Sequence, residues 1–426
     1  MTTSPTKELL KEAHEFSRLL SEERSLDLQS IRDGGEGPII RPWRSVQLLP
    51  DLPLHRMMSR VGGFPPALVR YFIGAYSRPG DVILDPFCGK GTTLLEAAVA
   101  GRRAVGSDIS PEAVISARAK TYPVTTSEVA NYVQDLPASL NQVCSDIPAS
   151  VLLFFQKDTL RHLLAARKRL LADMQDKTNG RTATFLCGVL LGLLHGHSAL
   201  SLSLPCNQVF AMSPGYVRKY VREHHLRRPK RNVTRCLLQK ALEFLPFPQP
   251  MAQVDVFEAP ADQCHSYMKE LKLKAHLVIT SPPYLNRQTY IKDAWLRLWF
   301  LGRDPHEIAK PSLETGNVVR FVEGMIAAIE SISRSVRKRG TVVLVCGRAN
   351  ITVGGKPHSV RISDLCLLAN SKVAEKWRLR PDRLIVDRKI MKRGSYFAVH
   401  HGKSVDDNGD HGRRFGEDEI LILRKP

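Results

Sequence analysis

Short apolar runs bounded by turn residues mark the strands of this chain. Val82-Ile83-Leu84 follows the turn Arg78-Pro79-Gly80-Asp81 and is apolar at successive positions. A strand buried on both faces of a parallel sheet reads this way. A glycine-rich turn, Phe87 to Gly91, comes next, then a helix that runs through Ala100 and stops at Gly101. Ala104-Val105-Gly106 starts a second strand that leads to Asp108. This strand-turn-helix-strand unit of about 30 residues predicts the opening of a Rossmann-like domain. Further strands are expected at Leu277-Val278-Ile279, Val342 to Val345, Leu384-Ile385-Val386 and Ile420 to Leu423.

Helical patterning fills the rest. Residues 1–25 read as an amphipathic helix able to cap a domain. Residues 31–53, with Arg41-Pro42-Trp43, read as an irregular lead-in. Pro65-Pro66 opens a helix over Ala67 to Tyr76. From Thr121 to Pro250 the pattern is mostly helical, with an apolar block (Ala183 to Leu194) and then a basic block (Val217 to Lys240). The expected organisation is an N-terminal helix and lead-in (1–54) and an α/β sheet domain (55–120 and 255–426). A helical, basic insertion (121–254) interrupts the sheet domain. No internal repeat is visible, and the one biased tract is the polar loop Ser404 to Arg414.

Charge changes this picture. Lys and Arg number 62 against 42 acidic residues, a net +20. A polyanionic partner, nucleic acid first, is the natural reading, beside the plainer one of a basic soluble protein. The eight cysteines form no C-x-x-C pair, which argues against a zinc ribbon or a thioredoxin-like site. The start lacks the apolar core of a signal peptide, and Phe185 to Leu194 is too short to span a membrane. A reducing cytoplasm fits, and no membrane partner is expected.

Two segments carry candidate chemistry. The first, Asp85-Pro86-Phe87-Cys88-Gly89-Lys90-Gly91-Thr92-Thr93, stands at the carboxyl end of the first strand, where open α/β sheets bind ligands. Its glycines let backbone approach a ligand, and the helix behind it offers free N–H groups. It is not a phosphate loop, because Lys90 is followed by Gly91 and no glycine lies five positions before Gly89. Asp108, some 17 residues beyond Gly91, is placed to accept from ribose hydroxyls, and Ile109 to cover an adenine face. Ser110 and Pro111 fit a helix start, with Ser110 as the cap.

The second segment is Val278-Ile279-Thr280-Ser281-Pro282-Pro283-Tyr284, a strand running into a rigid turn that ends in an aromatic ring. Prolines fix φ and remove donors, so oxygens are left facing the cleft. That polarity suits an exocyclic base amine, whose lone pair is delocalised into the ring. The Ser281 hydroxyl and the Pro282 carbonyl can hold its hydrogens and turn the lone pair toward an electrophile. Tyr284 can stack on a base flipped out of the duplex.

Asp85-Pro86-Phe87-x-Gly89-x-Gly91-Thr92 together with Thr280-Ser281-Pro282-Pro283-Tyr284 resembles the amino-group DNA methyltransferases, which act on N4 of cytosine or N6 of adenine. The resemblance covers residues 55–120 and 255–350. It implies a Rossmann-like S-adenosyl-L-methionine-dependent methyltransferase sheet. The cofactor would sit on Asp85, Phe87, Cys88, Gly89, Gly91, Thr92, Asp108 and Ile109. Phe64-Pro65 resembles the family's segment near the methionine end. An acidic residue before the second motif is implied at the adenine, with Asp262 the candidate and Asp255 and Glu258 its rivals. Ser281, Pro282, Pro283 and Tyr284 would be catalytic, and a serine at the first position leans to cytosine N4. The implied partner is double-stranded DNA with its target base flipped. A companion restriction endonuclease on the same site goes with a bacterial or phage, nucleoid-associated modification enzyme. The long gap between the motifs departs from compact members of the family, so nothing is carried onto residues 121–254.

Other readings are an RNA amino-methyltransferase and a non-catalytic nucleic-acid-binding protein. Cys206 as the nucleophile of a cytosine-C5 enzyme lacks its companion motifs. In the basic block, Arg218, Lys219, Arg222, Arg227, Arg228, Lys230 and Arg231 are interleaved with aromatics and are candidates for DNA phosphates. A solvated helix face is the alternative. His195 and His197 lack acidic or cysteine partners, and no metal is expected. Tyr290, Trp295 and Trp299 read as a core stripe of which one member can line the base pocket. Gly347-Arg348, after a strand, is expected near the site.

Overall fold

The computed structural model describes residues 5–23, 52–60, 63, 65–137, 147–196, 198–205, 214–245, 252–285, 290–353, 355–391 and 414–426. The lead-in 31–51 and the loop 404–413, both named above, lie outside them.

The elements used below run in chain order as follows. Helix α1 (Pro5–Glu23) is followed by α2 (Pro66–Tyr76), β1 (Val82–Asp85), α3 (Thr92–Val99), β2 (Arg103–Asp108) and α4 (Pro111–Thr121). The helices α5 (Thr126–Gln134), α6 (Lys157–Asp173), α7 (Gly180–Leu193), α8 (Pro214–Glu223) and α9 (Val233–Leu242) come next. Then follow β3 (Val254–Glu258), α10 (Cys264–Glu270), β4 (Ala275–Thr280), α11 (Trp295–Leu301), α12 (Val318–Ser335) and β5 (Val336–Cys346). The chain closes with β6 (Arg348–Val353), β7 (Lys356–Arg361), α13 (Ile362–Lys372), β8 (Arg380–Met391) and β9 (Arg414–Arg424).

A seven-stranded sheet has the order β3-β2-β1-β4-β5-β9-β8. Its first five strands are parallel, and β9 runs antiparallel to both β5 and β8. The Rossmann-like expectation is borne out. The central strands are apolar on alternate sides. Leu84, Val278, Val342 and Leu344 face one buried cluster; Ile83, Leu277, Ile279 and Val343 face the other. A strand covered on both faces has no polar side, which is why these runs show no alternation in the sequence. Strand order reverses between β1 and β4, so their carboxyl ends open a crevice.

The helices α5 to α9 build a second body on one side of the sheet. Its core includes Phe154, Phe185, Leu190, Leu237 and Phe244, and it continues into Leu54, Met57, Met58 and Ala119 of the sheet domain. The apolar α7 is buried in that core, as its composition requires. Helix α1 packs on α13 and α12, at the other end of the sheet.

Three features were not foreseen. Val254–Glu258 forms the edge strand β3, paired in parallel with β2. Its interleaved Asp255 and Phe257 gave a half-buried pattern rather than an apolar run. The β6–β7 ribbon forms its own two-stranded sheet. Ser110 stands at the cap position of α4 without capping it through its side chain, because its hydroxyl donates to Glu112 instead.

Candidate active site

The loop after β1 and the turn after β4 are neighbours because their strands are. One side chain stitches them together. Asp85, 1% exposed, accepts from the Thr280 hydroxyl at 2.6 Å and from the Phe87 N–H at 3.2 Å. Thr280 is the last residue before Ser281. Asp85 therefore holds the cofactor loop against the catalytic turn. Its carboxyl is engaged inside the fold, and Asp85 is not among the residues that line the cleft. Burial raises its pKa from 3.8 to about 7, against the hydrogen bonds from Thr280, Thr93 and Phe87.

The rest of the loop is equally tied down. The Cys88 N–H donates to the Ser107 carbonyl at 2.9 Å, and the Gly91 N–H to the Cys88 carbonyl at 2.8 Å. Lys120, buried at 1% exposure, donates to the Lys90 carbonyl at 2.6 Å. Gly91 has φ 79°, and a Cβ there would stand 2.7 Å from Cα of Ala117 on α4. Its bareness lets the loop pack on α4. Burial pushes the Cys88 thiol well above its ordinary pKa, so it is a neutral wall and not a nucleophile.

Asp108 ends β2 with one oxygen accepting the Gly89 N–H at 2.9 Å and the other the Ser110 N–H at 2.9 Å. Arg60 approaches to 3.8 Å, pairs more closely with Glu112, and lies 5.5 Å from the Tyr290 ring centroid. Burial raises the Asp108 pKa, and the Arg60 charge opposes the rise. The carboxylate is thus oriented by two amides and a guanidinium while its edge faces the cleft. Arg60 carries no motif signal in the sequence; only the fold brings it here.

The cleft itself encloses about 1110 Å³ of free space out to its solvent mouth. Phe87, Cys88, Gly89, Thr92, Asp108, Ile109 and Asp262 line it, and so do Ser281 and Pro283 of the catalytic turn. Asp262 is exposed in the one-turn helix Ala261–Gln263, whereas its rivals are engaged elsewhere, Asp255 with Arg103 and Glu258 with Arg303. Ile109 packs its far side on Ile291, Leu298 and Ile308. Of the aromatic stripe, Tyr290 lines the cleft, Trp295 packs on Phe154, and Trp299 lies under Arg167. Glu314 also lines the cleft, and burial raises its pKa to about 7. Pro65 caps α2 without lining the cleft, and Phe64 lies outside the described residues.

At the catalytic turn the Ser281 hydroxyl donates to the Val345 carbonyl at 2.9 Å. Its hydrogen is committed, so toward the cleft its oxygen can only accept. Pro282 is buried, and Pro283 has no N–H to offer. Tyr284 packs beside Gly347, where a Cβ would come within 2.6 Å of the ring. Gly347 is therefore near the site as expected. The ring lies against the end of β5, and Tyr284 is not among the residues that line the cleft.

The basic candidates divide. Arg218, Lys219 and Arg222 are exposed on α8, with Lys219 3.7 Å from Glu223. Arg227 is exposed beside them. Arg228 donates to the Leu153 carbonyl at 2.8 Å, Lys230 pairs with Asp158 at 2.9 Å, and Arg231 donates to the Ser201 carbonyl at 3.3 Å. These three have partners on the helical body, with Arg228 and Lys230 still exposed. His195 is buried, 2.7 Å from the Ser203 hydroxyl and edge-on to Phe154; His197 and Cys206 lie outside the described residues.

A mostly parallel sheet of this order, with an acid at the end of β2 and a proline turn at the end of β4, is a Rossmann-like arrangement. The sequence pattern of the family described as DNA methylase, which covers the N6 and N4 enzymes, matches residues 58–118. That match agrees with the resemblance drawn from the motifs. The chain is similar to the Type II methyltransferase M.XycI of Xanthomonas campestris pv. cyanopsidis, 36% identical over 104 residues, 24% of this chain and 34% of that protein. It is similar to the DNA adenine methyltransferase YhdJ of Escherichia coli (strain K12), 46% identical over 48 residues, 11% of this chain and 16% of that one. The chain thus spans about a third or less of the length of these curated relatives. Among solved structures, TrmN from Thermus thermophilus aligns with a TM-score of 0.32 at 9% identity, covering 88% of this chain and 52% of that one.

Proposed function

We propose that the protein methylates an exocyclic amino group of a DNA base, cytosine N4 before adenine N6, with S-adenosyl-L-methionine as donor. One observation carries the reading. Ser281, which faces the same cleft as Asp108 and Asp262, has its hydroxyl hydrogen fixed on Val345 and so presents only acceptor lone pairs.

The cleft fits the cofactor on its own terms. Asp108 offers an oriented carboxylate for ribose hydroxyls, Ile109 an apolar face for adenine, and Asp262 an acceptor for the adenine edge. Bound there, the cofactor supplies an electrophilic methyl on a sulfonium. The protein does the rest. Ser281 and the Pro282 carbonyl accept the two amino hydrogens of the base and draw its nitrogen toward a tetrahedral form. Tyr284, beside Ser281, supplies a face on which a flipped base stacks, worth about 1–3 kcal/mol. The +20 charge and the exposed cations of α8 suit duplex DNA. The relatives named as Type II methyltransferases support a DNA-modifying role. YhdJ, named for adenine, favours N6 as the second reading.

The test is to incubate the protein with methyl-labelled cofactor and mixed DNA. Ser281→Ala and Tyr284→Ala should each lose DNA labelling while keeping cofactor affinity by calorimetry. Labelling unchanged in both variants would remove the site assignment.

A further inference from the structure

The β6–β7 ribbon leaves β5 through Gly347, at the same sheet edge as the cofactor loop and the catalytic turn. Its root is rigid. The Ile362 N–H donates to the Gly347 carbonyl at 3.0 Å, closing the ribbon's base. Arg361 lies 3.3 Å from the buried Glu419, which also accepts from the Ser363 hydroxyl. Gly347 in turn packs on Tyr284. The ribbon is thus locked to the catalytic ring at one end.

Its two faces differ. Ala349, Ile351, Val353 and Val360 are buried in the sheet-domain core. Asn350, Thr352 and Ser359 are exposed on the opposite face, with Asn350 directly across from Ser359. Residues 347–361 contain Arg348, Lys356, His358 and Arg361 and no acidic residue. Lys356, at the tip, is exposed. Six-residue strands are about 20 Å long. A two-stranded ribbon of that size fits the major groove of duplex DNA, about 12 Å wide. Asparagine, serine and threonine are residue types that hydrogen-bond base edges there.

We propose that this ribbon reads the duplex beside the target base, with Asn350, Thr352 and Ser359 on base edges and Lys356 on a phosphate. The inference rests on the DNA-methylating reading and extends it to sequence specificity. A base flipped toward Tyr284 leaves its neighbours stacked in the duplex next to the ribbon's root.

The experiment starts from a duplex that the wild-type protein methylates, found by mapping labelled positions in mixed DNA. The triple variant Asn350→Ala, Thr352→Ala, Ser359→Ala should lose at least about tenfold of its preference for that duplex over a scrambled one, at unchanged S-adenosylmethionine affinity. Lys356→Ala should weaken both duplexes alike and flatten the slope of log K against log salt by about 0.9. If the triple variant loses cofactor affinity through misfolding, Asn350→Ala alone decides by the same preference. Unchanged preference and unchanged salt slope, in a wild-type protein that does methylate DNA, overturn the ribbon's role alone. A wild-type protein that labels RNA only, or no nucleic acid, overturns the DNA reading and this inference with it.

Discussion

The cofactor loop and the basic segment of the helical body both depend on charged side chains, and they use them in opposite ways. Around the loop, Asp85, Glu112 and Lys120 are buried, Asp108 and Arg60 are half-buried, and each has a named partner. On α8, Arg218, Lys219 and Arg222 stand in water. Buried charge costs desolvation and is kept only where its geometry is over-determined. Exposed charge costs little and adapts to a flexible polyanion. On the proposed function, the difference separates a site for one small molecule in one pose from a surface for a phosphate backbone.

Substitutions on the loop side should therefore act through geometry and give large effects. Gly91→Ala combines a left-handed φ with a clash on Ala117. It should lower stability by about 2–5 kcal/mol, read from chemical denaturation. Asp108→Ala removes the acceptor of the Gly89 and Ser110 amides and leaves Arg60 short of a partner. Cofactor affinity should fall about tenfold to a hundredfold by calorimetry, since hydrogen bonds to a charged group contribute about 1.5–3 kcal/mol. Gly347→Ala pushes on the Tyr284 ring from outside the cleft. Methyl transfer should slow by about tenfold or more at constant cofactor affinity, the signature of a misplaced substrate.

A subtler effect lies in pH. The Asp85 carboxyl has its pKa raised from 3.8 to about 7 in the folded chain. The folded state then holds a proton that the unfolded chain has released. That stabilisation is complete below about 4 and is lost as pH rises through about 7. Asp85→Asn keeps an acceptor for Thr280 and Phe87 and cannot ionise. Its stability should fall less steeply than that of the wild type over this window, by about one proton in the slope. Glu314 is raised in the same direction, so a residual slope is expected. Smallest should be the effect of Arg218→Ala or Arg222→Ala. Each should weaken duplex binding several-fold and reduce the salt slope by about 0.9, at unchanged base preference. A change in base preference there would erase the contrast between the two regions.

Much of the sheet was legible because parallel strands buried on both faces leave continuous apolar runs, as in Val82 to Leu84 and Leu277 to Ile279. The edge strand β3 and the β6–β7 ribbon were not, because half-exposed strands alternate and resemble loops in a single sequence. Asp108 and Ser281 were singled out from their places at strand ends, and Asp262 only through the family resemblance; all three line the cleft. Tyr290 stood in the aromatic stripe that follows the second motif, whereas Arg60 and Glu314 line the same cleft from stretches with no motif, and no local pattern marks such arrivals. Asp85 and Gly91 show what a motif leaves unsaid: burial and a helix contact, invisible along the chain, give both a part in holding the loop.

The most direct test of amino methylation at Ser281 is the chemical identity of the product. DNA methylated by the wild-type protein with labelled cofactor, digested to nucleosides and resolved by mass spectrometry against standards, should carry its label on N4-methylcytosine. Label on N6-methyladenine would keep the chemistry and reverse the base. Label on carbon 5 of cytosine, or on none of the nucleosides, would contradict the account.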